Sequence, residues 1–254
     1  MNRSMMFLIL ALLALAGTVS LARAEGGEKL PQIHWSFEGV FGTYDRAALQ
    51  RGFQVYREVC ASCHSLKRVY YRDLAALGYS AGQIKAVAAG AQVGDGPNDQ
   101  GEMFQRPGLP SDRFVSPFPN VQAAAYANGG AEPPDMSLLV KARHGGASHV
   151  YGILTGFEDT PAGKALQPGQ FWNKFMPGNV IAMSPPLTDG RVTYTDASPQ
   201  TVAQYAMDVS QFLAWASEPH MELRKRTGIK AFLFLLVFTG VMYTVKRRMW
   251  TKIH

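Results

Sequence analysis

Two cysteines are all that this 254-residue sequence contains. That scarcity excludes a four-cysteine zinc site and leaves Cys60 and Cys63 as the sole pair that could form a disulfide. Acidic residues are missing from both ends: none precedes Glu25 and none follows Glu222. Charge of either sign is missing from Met5 to Ala16 and again from Ala231 to Val245. Internal repeats are absent. The formal net charge of +6 and the pI near 9.3 therefore describe the ends of the chain. Between residues 25 and 223 lie 15 of the basic residues and all 19 acidic ones, a balance of about −4. No nucleic-acid partner is expected of such a surface, whereas a basic partner would be steered toward it at low salt.

What the chain does have is Cys60-Ala61-Ser62-Cys63-His64. A bare C-x-x-C leaves zinc, disulfide and redox chemistry open, but a histidine directly after it points to covalent haem attachment. Each thiol adds across one haem vinyl group. The short spacing lets both reach one porphyrin edge while His64 swings under the iron as proximal ligand. Haem c, one per chain, is the cofactor expected.

The two uncharged runs place that haem relative to a membrane. Residues 1–24 have the form of a cleaved signal peptide: Arg3, the apolar run, then Ala22-Arg23-Ala24 as a small-x-small cleavage site. The second apolar segment, residues 229–245, spans about 25 Å as a helix, and Lys230 can snorkel. Tyr243 and Trp250 fall where interfacial aromatics are expected. Arg224, Lys225, Arg226 and Lys230 on one side balance Lys246, Arg247, Arg248 and Lys252 on the other, so charge does not orient the span. The leader does. The expected organisation is a signal peptide at 1–24, an exported haem domain at 25–223 and a membrane anchor with a short cytoplasmic tail at 224–254. In a bacterium this is a single pass of the inner membrane with the haem domain in the periplasm.

About 200 residues suffice for one domain with a real core. Apolar residues at helical spacing predict a helix from Tyr44 to Cys63, in which Gly52 and Tyr56, one turn apart, allow a close helix crossing. Ser80 and Gln83 form a capping box for a helix ending at Gly90. Asn120 caps a short Ala-rich helix that stops at Gly129. Pro133-Pro134 starts, and Gly145 ends, a helix holding Met136, Leu139 and Val140. Ser198-Pro199 opens a last helix to about Ser217, with Val202, Tyr205, Val209, Phe212 and Leu213 inward. Gln92 to Asp112 and Pro161 to Thr195 are long for structureless loops, as expected of segments that pack on a ligand. The predicted fold is mainly α: a c-type cytochrome core with enlarged loops and crossing N- and C-terminal helices, plus one C-terminal transmembrane helix.

A low-spin electron carrier needs a sixth iron ligand. The candidate methionines are Met103, Met136, Met176, Met183 and Met207. Met207 and Met136 read as helical packing residues. Met183, followed by Ser184-Pro185-Pro186, sits in a stiff loop before the last helix and is preferred. Met176, before Pro177-Gly178, is its local rival, and His144 and His149 remain open.

The chain resembles the cytochrome c1 family, the haem subunits of the quinol–cytochrome c reductase (cytochrome bc1 complex), in its bacterial form. The matching stretches are WSFEGVFGTYD at 35–45, RGFQVYREVCASCHS at 51–65, DGPNDQGEMFQRPG at 95–108, PPDMSLLVKARHGG at 133–146 and PGNVIAMSPPL at 177–187. RKRTG at 224–228 then leads into the anchor. The resemblance implies His64 and Met183 as axial ligands, Cys60 and Cys63 as covalent attachment points and Arg143 as a propionate contact. Asn128 and Pro134 are further candidate pocket residues. It also implies an electron relay without bond chemistry of its own, inside an oxidoreductase complex. The haem would accept from a Rieske iron–sulfur protein beside a cytochrome b and pass to a soluble basic c-type cytochrome. Two departures stand out. Met176 occupies a place where the family commonly has phenylalanine, and His149 or Tyr151 stands near a place where it has a propionate-binding tyrosine. An extra loop disulfide found in some relatives cannot form here.

Overall fold

The computed structural model describes residues 27–251; the signal peptide expected at 1–24 and Lys252 lie outside the described residues. The molecule is mainly helical. Helix α1 (Arg46–Glu58) is followed by a 3₁₀ turn at Cys60–Ser62, a second at Tyr71–Leu77, then α2 (Ala81–Ala89). Strands β1 (Gln92–Asp95) and β2 (Phe104–Pro107) form an antiparallel hairpin. Helices α3 (Val121–Ala127), α4 (Leu139–Ala142) and α5 (Gly146–Thr155) follow. Two-residue strands β3 (Phe171–Trp172) and β4 (Val180–Ile181) pair antiparallel, and the chain closes with α6 (Val202–Ser217) and α7 (Met221–Trp250).

Helices α1 and α6 cross face to face, and the sequence explains how. At Gly52 an added Cβ would collide with the Asp208 carbonyl oxygen and the Phe212 side chain, so only glycine admits the approach. Beside it Arg51 donates from Nε and Nη2 to the two oxygens of fully buried Asp208, each bond 2.9 Å. Tyr194 and Gln204 also donate to Asp208, each at 3.0 Å. Around the crossing Phe53 and Tyr56 each pack against Phe212 in a tilted arrangement with centroids 5.6 Å apart, and Tyr71 stacks on Phe114 at 4.4 Å.

Several boundaries differ from the sequence expectation. Asp45 caps α1 through Ala47 and Ala48, but the helix ends at Glu58 and not at Cys63. Val59 leaves helical geometry, and the Cys60 carbonyl then accepts from both Cys63 N (3.1 Å) and His64 N (2.8 Å). The helix expected over 133–145 shrinks to α4. Pro133 and Pro134 have no N–H, and the polar groups that follow are taken by the segment after His64. Met136 N donates to Ser65 O at 2.8 Å, and the Asp135 carboxylate accepts from Ser65 Oγ at 2.7 Å and Lys67 N at 2.9 Å. Helix α6 starts at Val202 behind a Thr201 cap, since Thr201 Oγ1 accepts from Gln204 N. The Ser80 capping box and the Asn120 cap are present as expected. Helix α5 was not foreseen. Its N-cap is Gly145 at φ 85°, without a capping side chain, so its start reads in sequence as the end of the preceding helix.

Helix α7 carries 30 residues and, among the described residues, is the one long and apolar enough to cross a membrane. Its side chains from Phe232 to Phe238 are exposed, as a lipid-facing span requires. The fold anchors the domain to a membrane. Breaking a buried charge pair by removing one partner costs about 3 to 5 kcal/mol. Asp208→Ala is expected to lose stability of that order in chemical denaturation of the solubilised chain; a loss below about 1 kcal/mol would place the weight of the crossing on its aromatic contacts instead.

Candidate haem site

A cavity of about 820 Å³ opens beside the α1–α6 crossing. That size is typical of a site for a large organic ligand. Cys60, Cys63, His64, Asn128, Pro134, Arg143 and Met183 all line it. The sequence candidates thus converge from segments far apart along the chain. Met176 and His149 line it too, whereas His144, Tyr151, Met103 and Met207 do not.

One wall is the C-x-x-C-H turn. Cys60 is buried and Cys63 half-buried, and both thiols are free. Burial, then the neighbouring Cys63, pushes the Cys60 thiol up to about 12. His64 Nδ1 lies 2.9 Å from the Pro134 carbonyl oxygen. A carbonyl only accepts, so Nδ1 carries the proton and Nε2 keeps its lone pair, the tautomer a metal ligand needs. Burial lowers the His64 pKa, and this bond opposes the shift. Pro134 therefore does more than line the pocket: it orients the imidazole. That bond and the Asp135 bonds described above take the place of helical hydrogen bonds in this segment.

The loop 181–186 lines the same cavity with every one of its residues. Its entry is pinned by the pairing of Phe171 with Ile181. Fully buried Asn173 braces that hairpin against α5, donating from Nδ2 to Ile153 O at 2.7 Å. Its exit is pinned by buried Leu187. Met183 sits between these two anchors. Met136 also lines the cavity, but its backbone bond to Ser65 holds it on the His64 side. The floor is apolar, with Val209 and Leu213 of α6 and Val150 and Ile153 of α5. The guanidinium groups of Arg143 and Arg191 lie on the lining as well, beside the imidazole of His149. Arg191 had no signal in the sequence, since it stands alone on a loop without periodicity.

Two free thiols, an imidazole of fixed tautomer, a thioether, apolar walls and guanidinium groups for carboxylates line one cavity and fit a covalently attached haem. The class this defines is a membrane-anchored c-type haem protein. The model of the Cytochrome C1 family matches residues 35–253, and the chain belongs to that family. It is 49% identical over 261 residues to "Cytochrome b/c1" of Bradyrhizobium diazoefficiens, covering 94% of this chain and 38% of that longer protein. It is 48% identical to "Cytochrome c1-2, heme protein, mitochondrial" of Solanum tuberosum, covering 94% of this chain and 91% of the relative. To "Cytochrome b-c1 complex catalytic subunit, mitochondrial" of Candida albicans it is 45% identical, over 92% of this chain and 82% of the relative.

Burial, and then the Arg143 charge, holds the His149 imidazole below its ordinary 6.5. The folded protein therefore binds fewer protons there than the unfolded chain does. That contribution to stability is fully present above pH 6.5 and is lost as pH falls from 6.5 toward the folded value. In His149→Gln the unfolding free energy is expected to fall less between pH above and below 6.5 than in the parent. Equal falls would assign the acid sensitivity to other groups.

Proposed function

We propose that this chain relays single electrons within a cytochrome bc1 complex: its bound haem c supplies a one-electron iron couple, filled by a Rieske iron–sulfur protein and emptied by a soluble basic c-type cytochrome. As a member of the cytochrome c1 family it is a haem-bearing subunit of that oxidoreductase complex, with cytochrome b as a companion subunit, and its cofactor is one covalent haem c. The subunit carries out no bond chemistry. The observation that carries this reading is the single cavity into which both thiols, His64, Met183 and Arg143 converge.

Cys60 and Cys63 would hold the haem as thioethers. His64, its Nδ1 bonded to Pro134, would give Nε2 to the iron. Met183 would give a thioether, from a loop stiffened by Pro185-Pro186 and pinned at both ends. Such a ligand pair would keep rearrangement small, and thioether ligation would favour the reduced iron. Arg143 would pair with a propionate. His149, which shares the cavity lining, fits a second propionate contact better than Tyr151, which does not reach it. Asn128 lines the entrance side beside Gly129. Residues 25–223 form the haem domain on the periplasmic side of a bacterial inner membrane, and 224–254 form the anchor with its cytoplasmic tail. Helix α7 begins at Met221, so domain and anchor share a helical turn.

Met183→Leu is expected to keep covalent haem but lower its midpoint potential by a few hundred millivolts, within the roughly 0.8 V that axial ligands span. Met176→Leu is expected to keep the parent spectrum and potential. The reverse pattern would make Met176 the ligand.

The acidic groups of the loops divide into two kinds. Asp95 pairs with Arg106, Glu158 with Lys174, and Asp135 holds Ser65 and Lys67, so these are structural. Among the described residues Asp99, Glu102, Glu132 and Asp159 have no ion-pair partner, and Glu132 lines the haem cavity. Glu132→Gln is expected to slow reduction of a basic acceptor several-fold at low ionic strength. The effect should vanish as salt shortens the screening length to about 8 Å and below. A rate that ignores the substitution at every salt concentration would move the docking surface away from this residue.

A further inference from the structure

The loop 36–43 ends in an apolar tip that the relay does not use. Val40 is 63% and Phe41 83% exposed, although the ring of neighbouring Phe37 stacks on Trp35 at 5.8 Å. The tip is not a slack excursion. Thr43 N donates to Ser36 O at 3.0 Å and closes the loop at its neck. From α7, Lys225 Nζ donates to Phe37 O at 2.7 Å and to Gly42 O at 3.0 Å, bracketing the tip on both sides. Glu222, one turn earlier, accepts from Tyr44 N at 2.8 Å and pairs with Arg46 at 2.7 Å. The loop is thus bonded to the first turns of the membrane helix and cannot fold its apolar side chains inward.

Val40 and Phe41 share one shallow cavity with Arg226 and Ile229. Ile229 is where the apolar run of α7 begins. Lys225 is four residues before it, about 6 Å along the axis. The tip therefore stands within about one helical turn of the hydrocarbon boundary. Lys225 and Arg226 line the same cavity, at the level where the phosphates of a surrounding bilayer would lie. Large apolar side chains held exposed beside a span, with cations at their base, have the chemistry of an interfacial membrane contact.

We propose that the Val40–Phe41 tip dips into the outer leaflet beside α7 and acts as a second, interfacial foot for the haem domain, a reading that rests on α7 being the membrane span. The occupant of the tip is lipid, because the tip is continuous with the lipid-facing surface of the span and is framed by cations without a facing acidic group in that cavity other than the paired Glu222.

The test uses the full haem-loaded chain in its native membrane, with the photoreactive p-benzoylphenylalanine placed at Phe41 and, separately, at Val40, Phe234 and Tyr126. Phe234 is 66% exposed in the middle of the span, and Tyr126 is 92% exposed on α3. After irradiation, a lipid mass adduct is expected on the peptides carrying position 41 or 40 and on that carrying 234, and none on that carrying 126. A cross-link from 41 and 40 to another protein subunit would overturn the proposal in favour of a protein contact. No lipid adduct at 41 or 40, with one at 234, would place the tip in water and overturn it while leaving the span intact. No lipid adduct at 234 either would overturn the membrane reading of α7 itself.

Discussion

Where α1 crosses α6, Arg51 grips Asp208 through two bonds and Gly52 lets the backbones meet, and the haem site hangs from that junction. Helix α1 delivers the chain into the Cys60–His64 turn, and α6 supplies Val209 and Leu213 to the cavity floor. A buried ion pair is weak evidence of net stabilisation, because desolvation offsets much of the attraction. Its use here is positional. The bidentate geometry admits one register between two helices that aromatic packing alone would let slide.

Helix α5 and the Asn173 brace extend the same logic to the opposite wall. The loop bearing Met183 has no regular structure of its own, yet it is held between a short strand pair and buried Leu187. Stiffness at the ligand thus comes from tertiary anchoring as much as from Pro185-Pro186. Local prolines limit the loop's conformations, while Asn173 decides which one faces the cavity.

Much of this was legible in the sequence, and for identifiable reasons. Caps at Ser80 and Asn120 are local, so they survived tertiary context. Gly52 was legible because a small residue one turn from an aromatic has few other uses. The family likeness rests on long motifs, and Cys60, Cys63, His64, Arg143 and Met183 line one cavity. What escaped was non-local. The helix expected over 133–145 lost its first half to hydrogen bonds with Ser65 and Lys67, residues some seventy positions away. Helix α5 escaped because Gly145-Gly146 resembles a stop signal. Asp208 escaped because nothing along the chain distinguishes a buried acid from a solvated one until its partner is placed. The Pro134 carbonyl is invisible to any reading of side chains.

The late position of α6 also sets an order of events. Helices α1 and α6 lie about 150 residues apart, so the junction cannot close until nearly the whole domain has been made. Until then the cavity lacks Val209 and Leu213. The haem pocket is thus completed by the last helix before the membrane span. A chain truncated before Val202 would keep the C-x-x-C-H turn but lack the apolar surface on which a porphyrin could pack.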